Sequence, residues 1–92
     1  MLEIEKNSLD IVKKILKQAG VKFYAFGSRV KGQSSKFSDL DLIYKEKIED
    51  TILNKVKHEL SESDLPFKVD LINFHDCKRS FIELIEKDFE EI

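Results

Sequence analysis

Several things are scarce in this 92-residue chain, and each scarcity excludes something. There is one cysteine, Cys77, so no internal disulfide can form and nothing calls for an oxidising compartment. That thiol is expected to be a half-buried small residue near a helix start, not a nucleophile. No apolar run approaches the ~20 residues of a membrane span. The opening Met-Leu-Glu-Ile-Glu-Lys lacks the basic start and long apolar region of a signal peptide, so the cytoplasm is the expected location and no membrane partner is expected. No segment repeats or is low in complexity, and no linker divides the chain. Residues 1–92 are expected to form one domain, large enough for one modest core.

Charge is plentiful but balanced. Charged residues make up 37% of the chain with a net charge of only −2, which gives no basis for expecting direct nucleic-acid binding. The signs are unevenly placed. Through Lys36 there are eight Lys/Arg against three Asp/Glu; from Phe37 onward there are eight against fifteen. Either this is a solvated surface with uneven charge, or the basic part serves an anion and the acidic part a cation.

Apolar periodicity supplies the elements. Leu9, Val12, Ile15, Leu16 and Ala19 recur at three- and four-residue steps, which predicts an amphipathic helix, capped by Asn7 or Ser8 and ended by Gly20. Residues 21–26 are β-branched and aromatic and predict a strand, central in its sheet because the run is nearly all apolar. Residues 39–44 predict a second strand. Ile48, Ile52, Val56 and Leu60 predict a helix over 47–60, with His58 on its solvated side. Residues 61–66 break that helix, with Pro66 as the stop. Residues 67–74 predict a third strand. Phe81, Leu84, Ile85, Phe89 and Ile92 predict a last helix reaching the end of the chain, with Ser80 and Glu83 as a capping box. Phe81, Phe89 and Ile92 are candidates for a partner-docking patch, Phe81 being the one of the three better suited to the core.

The chemistry-bearing stretch runs from Gly27 to Asp41. Gly27 follows a strand and lets backbone approach a ligand. Ser28 and Arg29 open a short helix whose free N–H groups suit an anion. The Ser28 hydroxyl and the Arg29 fork add further donors. Residues 33–38 are polar and predict a loop. Asp39 and Asp41 then share one face of the next strand, since alternate side chains point the same way. Two such carboxylates repel unless a cation lies between them. They either solubilise an exposed face or hold a metal. Asp70, between Val69 and Leu71, is a third carboxylate in an otherwise apolar strand; burying it without a partner is costly, so a metal or a bound cationic group is expected beside it.

Gly27-Ser28, Asp39-Leu40-Asp41 and the later Asp70 together resemble the signature of the DNA polymerase beta-like nucleotidyltransferases. The context Phe26-Gly27-Ser28-Arg29-Val30-Lys31-Gly32 and Ser38-Asp39-Leu40-Asp41-Leu42 is similar to the minimal nucleotidyltransferase (MNT) branch. The resemblance implies an α+β fold, a small mixed sheet with helices packed on one side. It implies that Asp39, Asp41 and Asp70 are catalytic and bind two Mg²⁺ ions, with Asp70 also helping to activate an acceptor hydroxyl. Gly27, Ser28 and Arg29 would hold the phosphates of ATP, the substrate. Stand-alone MNT proteins commonly pair with a HEPN-family toxin, so the implied activity is transfer of AMP to a tyrosine of that toxin, the chain acting as its antitoxin in a homo- or hetero-oligomer. Two alternatives belong to other classes: a non-catalytic module that neutralises a toxin by contact, and an enzyme modifying a small molecule such as an aminoglycoside.

Overall fold

The computed structural model describes residues 2–92. The elements run α1 (Lys6–Leu16), β1 (Tyr24–Phe26), α2 (Ser28–Lys31), β2 (Leu40–Tyr44), α3 (Asp50–Ser61), β3 (Val69–Asn73), α4 (Arg79–Ile85) and β4 (Glu90–Glu91). The four strands form one mixed sheet in the order β3-β2-β1-β4. β1 pairs antiparallel with β2 and β4, and β2 pairs parallel with β3. β1 is therefore interior, as its apolar run predicts.

The alternation of β2 decides how the layers stack. Leu40, Leu42 and Tyr44 point to one face and are buried with Val12 and Leu16 of α1 and Val56 and Leu60 of α3. Burial of aliphatic side chains of this size contributes about 1.5–3 kcal/mol each. Ile43 points the other way, into a smaller cluster with Phe26 of β1 and Ile82 and Ile85 of α4. The two long helices thus cover one face, as expected, while the short α4 covers part of the other. Asp41, at the start of β2 on that second face, is half-buried.

Several local expectations need correction. α1 starts at Lys6 with Glu5 at its cap position and no side-chain capping bond; Ser8, expected as a cap, is buried inside the helix. Gly20 does end the helical segment, in the left-handed region at φ 66°, after a 3₁₀ turn over Lys17–Ala19. The capping box at Ser80 and Glu83 does not form. The cap position of α4 is Lys78, and Glu83 instead accepts a bond from Arg79 Nε at 3.1 Å.

The largest difference lies at the carboxyl end. The helix predicted to reach Ile92 stops at Ile85, and a 3₁₀ turn over Glu86–Asp88 leads into β4. Glu90 pairs with Ala25, and Ile92 N–H donates to the Phe23 carbonyl at 3.0 Å. Pairing with β1 outweighs the local helical spacing. This also reverses the docking-patch expectation. Phe89 stacks on Tyr24 with ring centroids 5.9 Å apart, and Ile92 packs on the main core. Phe81 is the exposed one, at 38%, with Leu84 at 63%.

The two-sided sheet predicts an asymmetric mutational response. Leu42→Ala should cost about 2–5 kcal/mol in denaturant melts, as for a fully buried leucine, whereas Leu84→Ala should stay within about 0.5 kcal/mol.

Candidate active site

Three strands and one tight turn build the site. Asp41 lies on β2 directly beside Phe26 of β1 on one side and Asp70 of β3 on the other. Side chains of directly paired residues share a face, so Asp41 and Asp70 stand side by side on the face not covered by α1 and α3. Asp39 is exposed and sits one residue before β2 begins at Leu40.

Gly27 ends β1 and caps α2 with φ 84° and ψ −156°, a backbone conformation that L side chains rarely adopt. Space is a second constraint: a Cβ on Gly27 would lie 2.8 Å from Asp41 Oδ2. The turn is thus pressed against the carboxylate. Val30 and Lys31 N–H both donate to the Gly27 carbonyl, at 3.0 and 3.1 Å. The backbone N–H groups of Ser28 and Arg29, next in the chain after Gly27, have no acceptor among the described residues.

Arg29 departs from its expected role. Its side chain is only 4% exposed, and the guanidinium is committed to four backbone carbonyls. Nε donates to Ser38 O at 2.9 Å, Nη1 to Glu3 O at 2.6 Å, and Nη2 to Lys36 O at 3.0 Å and Ser35 O at 3.4 Å. The Phe67 ring lies 4.2 Å from the guanidinium carbon. Arg29 is a clamp on the 34–38 loop, its guanidinium committed to backbone carbonyls and not free as a fork for phosphates. Burial lowers its pKa, while Glu3 and Asp39 pull it back up. Glu3 completes the clamp. Its backbone N–H donates to Arg29 O at 2.7 Å, and its carboxylate accepts from Ser34 Oγ at 2.5 Å, which lowers the Glu3 pKa. No sequence pattern marks Glu3; it is brought in by the fold.

Asp70 is also corrected. It is not an unpartnered buried acid. β3 is an edge strand, the Asp70 side chain is about one third exposed, and Lys68 Nζ lies 3.3 Å from its Oδ1. The cation beside it is thus a side chain of the protein, where a metal or a bound group was expected. Lys68 immediately precedes β3 and stands two residues before Asp70, so their shared face was readable from alternation.

Asp41 is the carboxylate under electrostatic load. Burial pushes its pKa up first, then the charges of Asp70 and Asp39. Among the described residues no three His, Cys, Asp or Glu side chains stand grouped as a ready metal cage. An all-oxygen donor set beside free backbone N–H groups fits Mg²⁺, which takes one or two carboxylates and completes its shell with phosphates and water.

The chain matches the family Polymerase beta, Nucleotidyltransferase over residues 3–92. It belongs to that family. This nucleotidyltransferase is also 43% identical, over 90 residues, to "Probable protein adenylyltransferase MntA" of Haemophilus influenzae, a match spanning 94% of the present chain and 79% of that protein. The small mixed sheet with its helices agrees with the fold the resemblance implies. No helix among the described residues is long and apolar enough to cross a membrane.

Two outcomes test this site. Arg29→Lys keeps the charge but loses the fork, and should destabilise the nucleotidyltransferase by on the order of 3 kcal/mol, with faster amide exchange across residues 34–38. For Asp41, whose folded pKa is raised, the folded state binds more protons than the unfolded one. Its contribution is therefore fully present below the unfolded value of ~3.9 and is lost as pH rises through the folded value. In chelator at neutral pH, Asp41→Asn should melt above the parent, with a flatter dependence of stability on pH from ~4 upward.

Proposed function

We propose that the chain is a Mg²⁺-dependent protein adenylyltransferase that moves AMP from ATP to a hydroxyl, a tyrosine of a partner HEPN-type toxin, and so acts as its antitoxin. The observation that supports the reading is Asp41, paired beside Asp70, pressed against the Gly27-Ser28 turn so closely that a Cβ on Gly27 would strike it. The 43% identity to a protein named as an adenylyltransferase supports it. A module acting by contact alone would have no need of that junction.

Each residue then has a task. Asp39 and Asp41 would hold the divalent cations, and Asp70 would complete the set. Bound there, Mg²⁺ supplies neutralisation of the triphosphate and of the charge that develops as the bridging oxygen leaves. The Ser28 hydroxyl and the N–H groups of Ser28 and Arg29 hold the β- and γ-phosphates. Lys68 engages Oδ1 of Asp70 and leaves Oδ2 to take the proton of the acceptor hydroxyl. The acceptor oxygen forms a bond to the α-phosphorus, the bond from that phosphorus to the β-phosphate oxygen breaks, and pyrophosphate departs. The clamp by Arg29 fixes Ser38, and hence Asp39, relative to the turn.

Incubation with the toxin partner, Mg²⁺ and ATP labelled in the α-phosphate should transfer the label to a tyrosine of the partner, read by mass spectrometry. Asp39→Asn, Asp41→Asn and Asp70→Asn should each lower transfer by at least about a hundredfold, and Ser28→Ala less, because backbone donors remain. Label from the γ-phosphate on the partner, or near-normal transfer by Asp41→Asn, contradicts the reading.

A further inference from the structure

The sheet leaves one edge open beside the site. β3 is an outer strand. Leu40 N–H donates to Lys68 O at 2.8 Å, so in this parallel ladder residues 68, 70 and 72 turn their backbone groups to β2, and Val69 and Leu71 turn theirs outward. No described residue bonds the N–H or C=O of Val69 or Leu71. The edge closes only at its far end, where Cys77 Sγ donates to Asn73 O at 3.4 Å. Exposed edges are usually blunted by pairing, proline, charge or cover; where this one passes Asp70 it has neither a paired strand nor a proline, and its charges, Lys68 and Asp70, are engaged with each other.

A groove of about 500 Å³ runs along the same edge, between β3 and the end of α3. Leu60, Leu65, Val69 and Leu71 supply apolar wall, and Lys57 and Lys68 stand at its border. On the sheet's other face, Asp70 looks toward Asp41. An added strand would therefore send alternate side chains to two different places. One set enters the apolar groove; the other lies beside Asp70.

We propose that the acceptor is an extended polypeptide segment, apolar at alternate positions and acidic at its flanks, that adds to the free edge of β3 and lays its hydroxyl-bearing side chain beside Asp70. This rests on the transfer reading above and names how its substrate is held. Backbone bonds give such additions their affinity, and alternate pockets their specificity. Lys57 favours acidic flanks by charge complementarity, Lys68 being engaged by Asp70. The geometry also selects the side chain. Strands lie ~4.8 Å apart, so the added strand runs roughly 10 Å from β2 and Asp41. A serine or threonine hydroxyl stays close to its own strand, while a long tyrosine reaches across Asp70 toward the carboxylate pair.

The test uses a blocked synthetic peptide, Asp-Gln-Leu-Tyr-Leu-Gln-Asp, in which the leucines and the acidic flanks share one face and the tyrosine takes the other, added to the intact, isotope-labelled chain without nucleotide. The amide signals of Val69 and Leu71 should shift and exchange more slowly, and Lys57→Glu should weaken binding about tenfold. Of two peptides methylated at alternate backbone nitrogens, one phase should lose binding, because its donors face β3. With ATP and Mg²⁺ the tyrosine should gain one adenylyl group and a serine replacement should not. The inference is overturned if the peptide leaves Val69 and Leu71 silent, if both methylated peptides bind as well as the parent, or if those amides respond to protein concentration, which makes a second copy the occupant. The arms separate the two claims. Edge binding without transfer, even with ATP and Mg²⁺, overturns the transfer reading while the docking edge stands. Mg²⁺-dependent ATP binding with a silent edge overturns the docking edge alone.

Discussion

The contact between Gly27 and Asp41 is the constraint on which the site depends. A turn that presents two free N–H groups and a strand that presents a carboxylate are brought together with no room for a single extra carbon. Only glycine satisfies both the positive φ and the missing volume. The contact works because β1 and β2 are paired, Phe26 against Asp41, so the end of one strand delivers the turn to the flank of the next. Anion donors and carboxylates at such close quarters are wasteful unless something carrying both signs sits between them. A triphosphate with its cations carries both.

The architecture around that contact divides stability from chemistry. β2 is buried on one side through Leu40, Leu42 and Tyr44 and partly covered on the other through Ile43. Asp41 sits on that second face, half-buried beside Phe26. The like charges it meets there are tolerated because the strand is held from both faces. Arg29 performs the corresponding task for the loop. A planar fork that satisfies four carbonyls orders a polar segment that has no apolar residue in either buried cluster, and Asp39 inherits its position from that loop.

The parts of the fold and site that were legible in the sequence are those set by local period and spacing. The faces of α1 and α3, the alternation of β2 and the spacing from Gly27-Ser28 to Asp39-Leu40-Asp41 are local patterns, and the structure keeps them. What was not legible depends on contacts distant in sequence. Glu90 and Glu91 make a poor strand by composition and become one only because β1 offers an edge. Arg29 reads as an anion binder until Glu3 and the carbonyls of residues 35, 36 and 38 surround it. Phe89 keeps helical spacing yet is drawn to Tyr24 and Phe26 by ring packing. Lys68 beside Asp70 is the instructive middle case, since the spacing was in view and only its consequence was missed.

The central claim is that the carboxylates around Asp41 form a cation site completed by a triphosphate. Calorimetric titration of Mn²⁺ with a non-hydrolysable ATP analogue onto the parent, Asp41→Asn and Gly27→Ala tests it directly. The account predicts saturable binding of metal and analogue together by the parent, loss of that binding in Asp41→Asn, and marked weakening in Gly27→Ala, with metal alone binding poorly to all three. Equal binding by the parent and Asp41→Asn, or none by the parent, would contradict it.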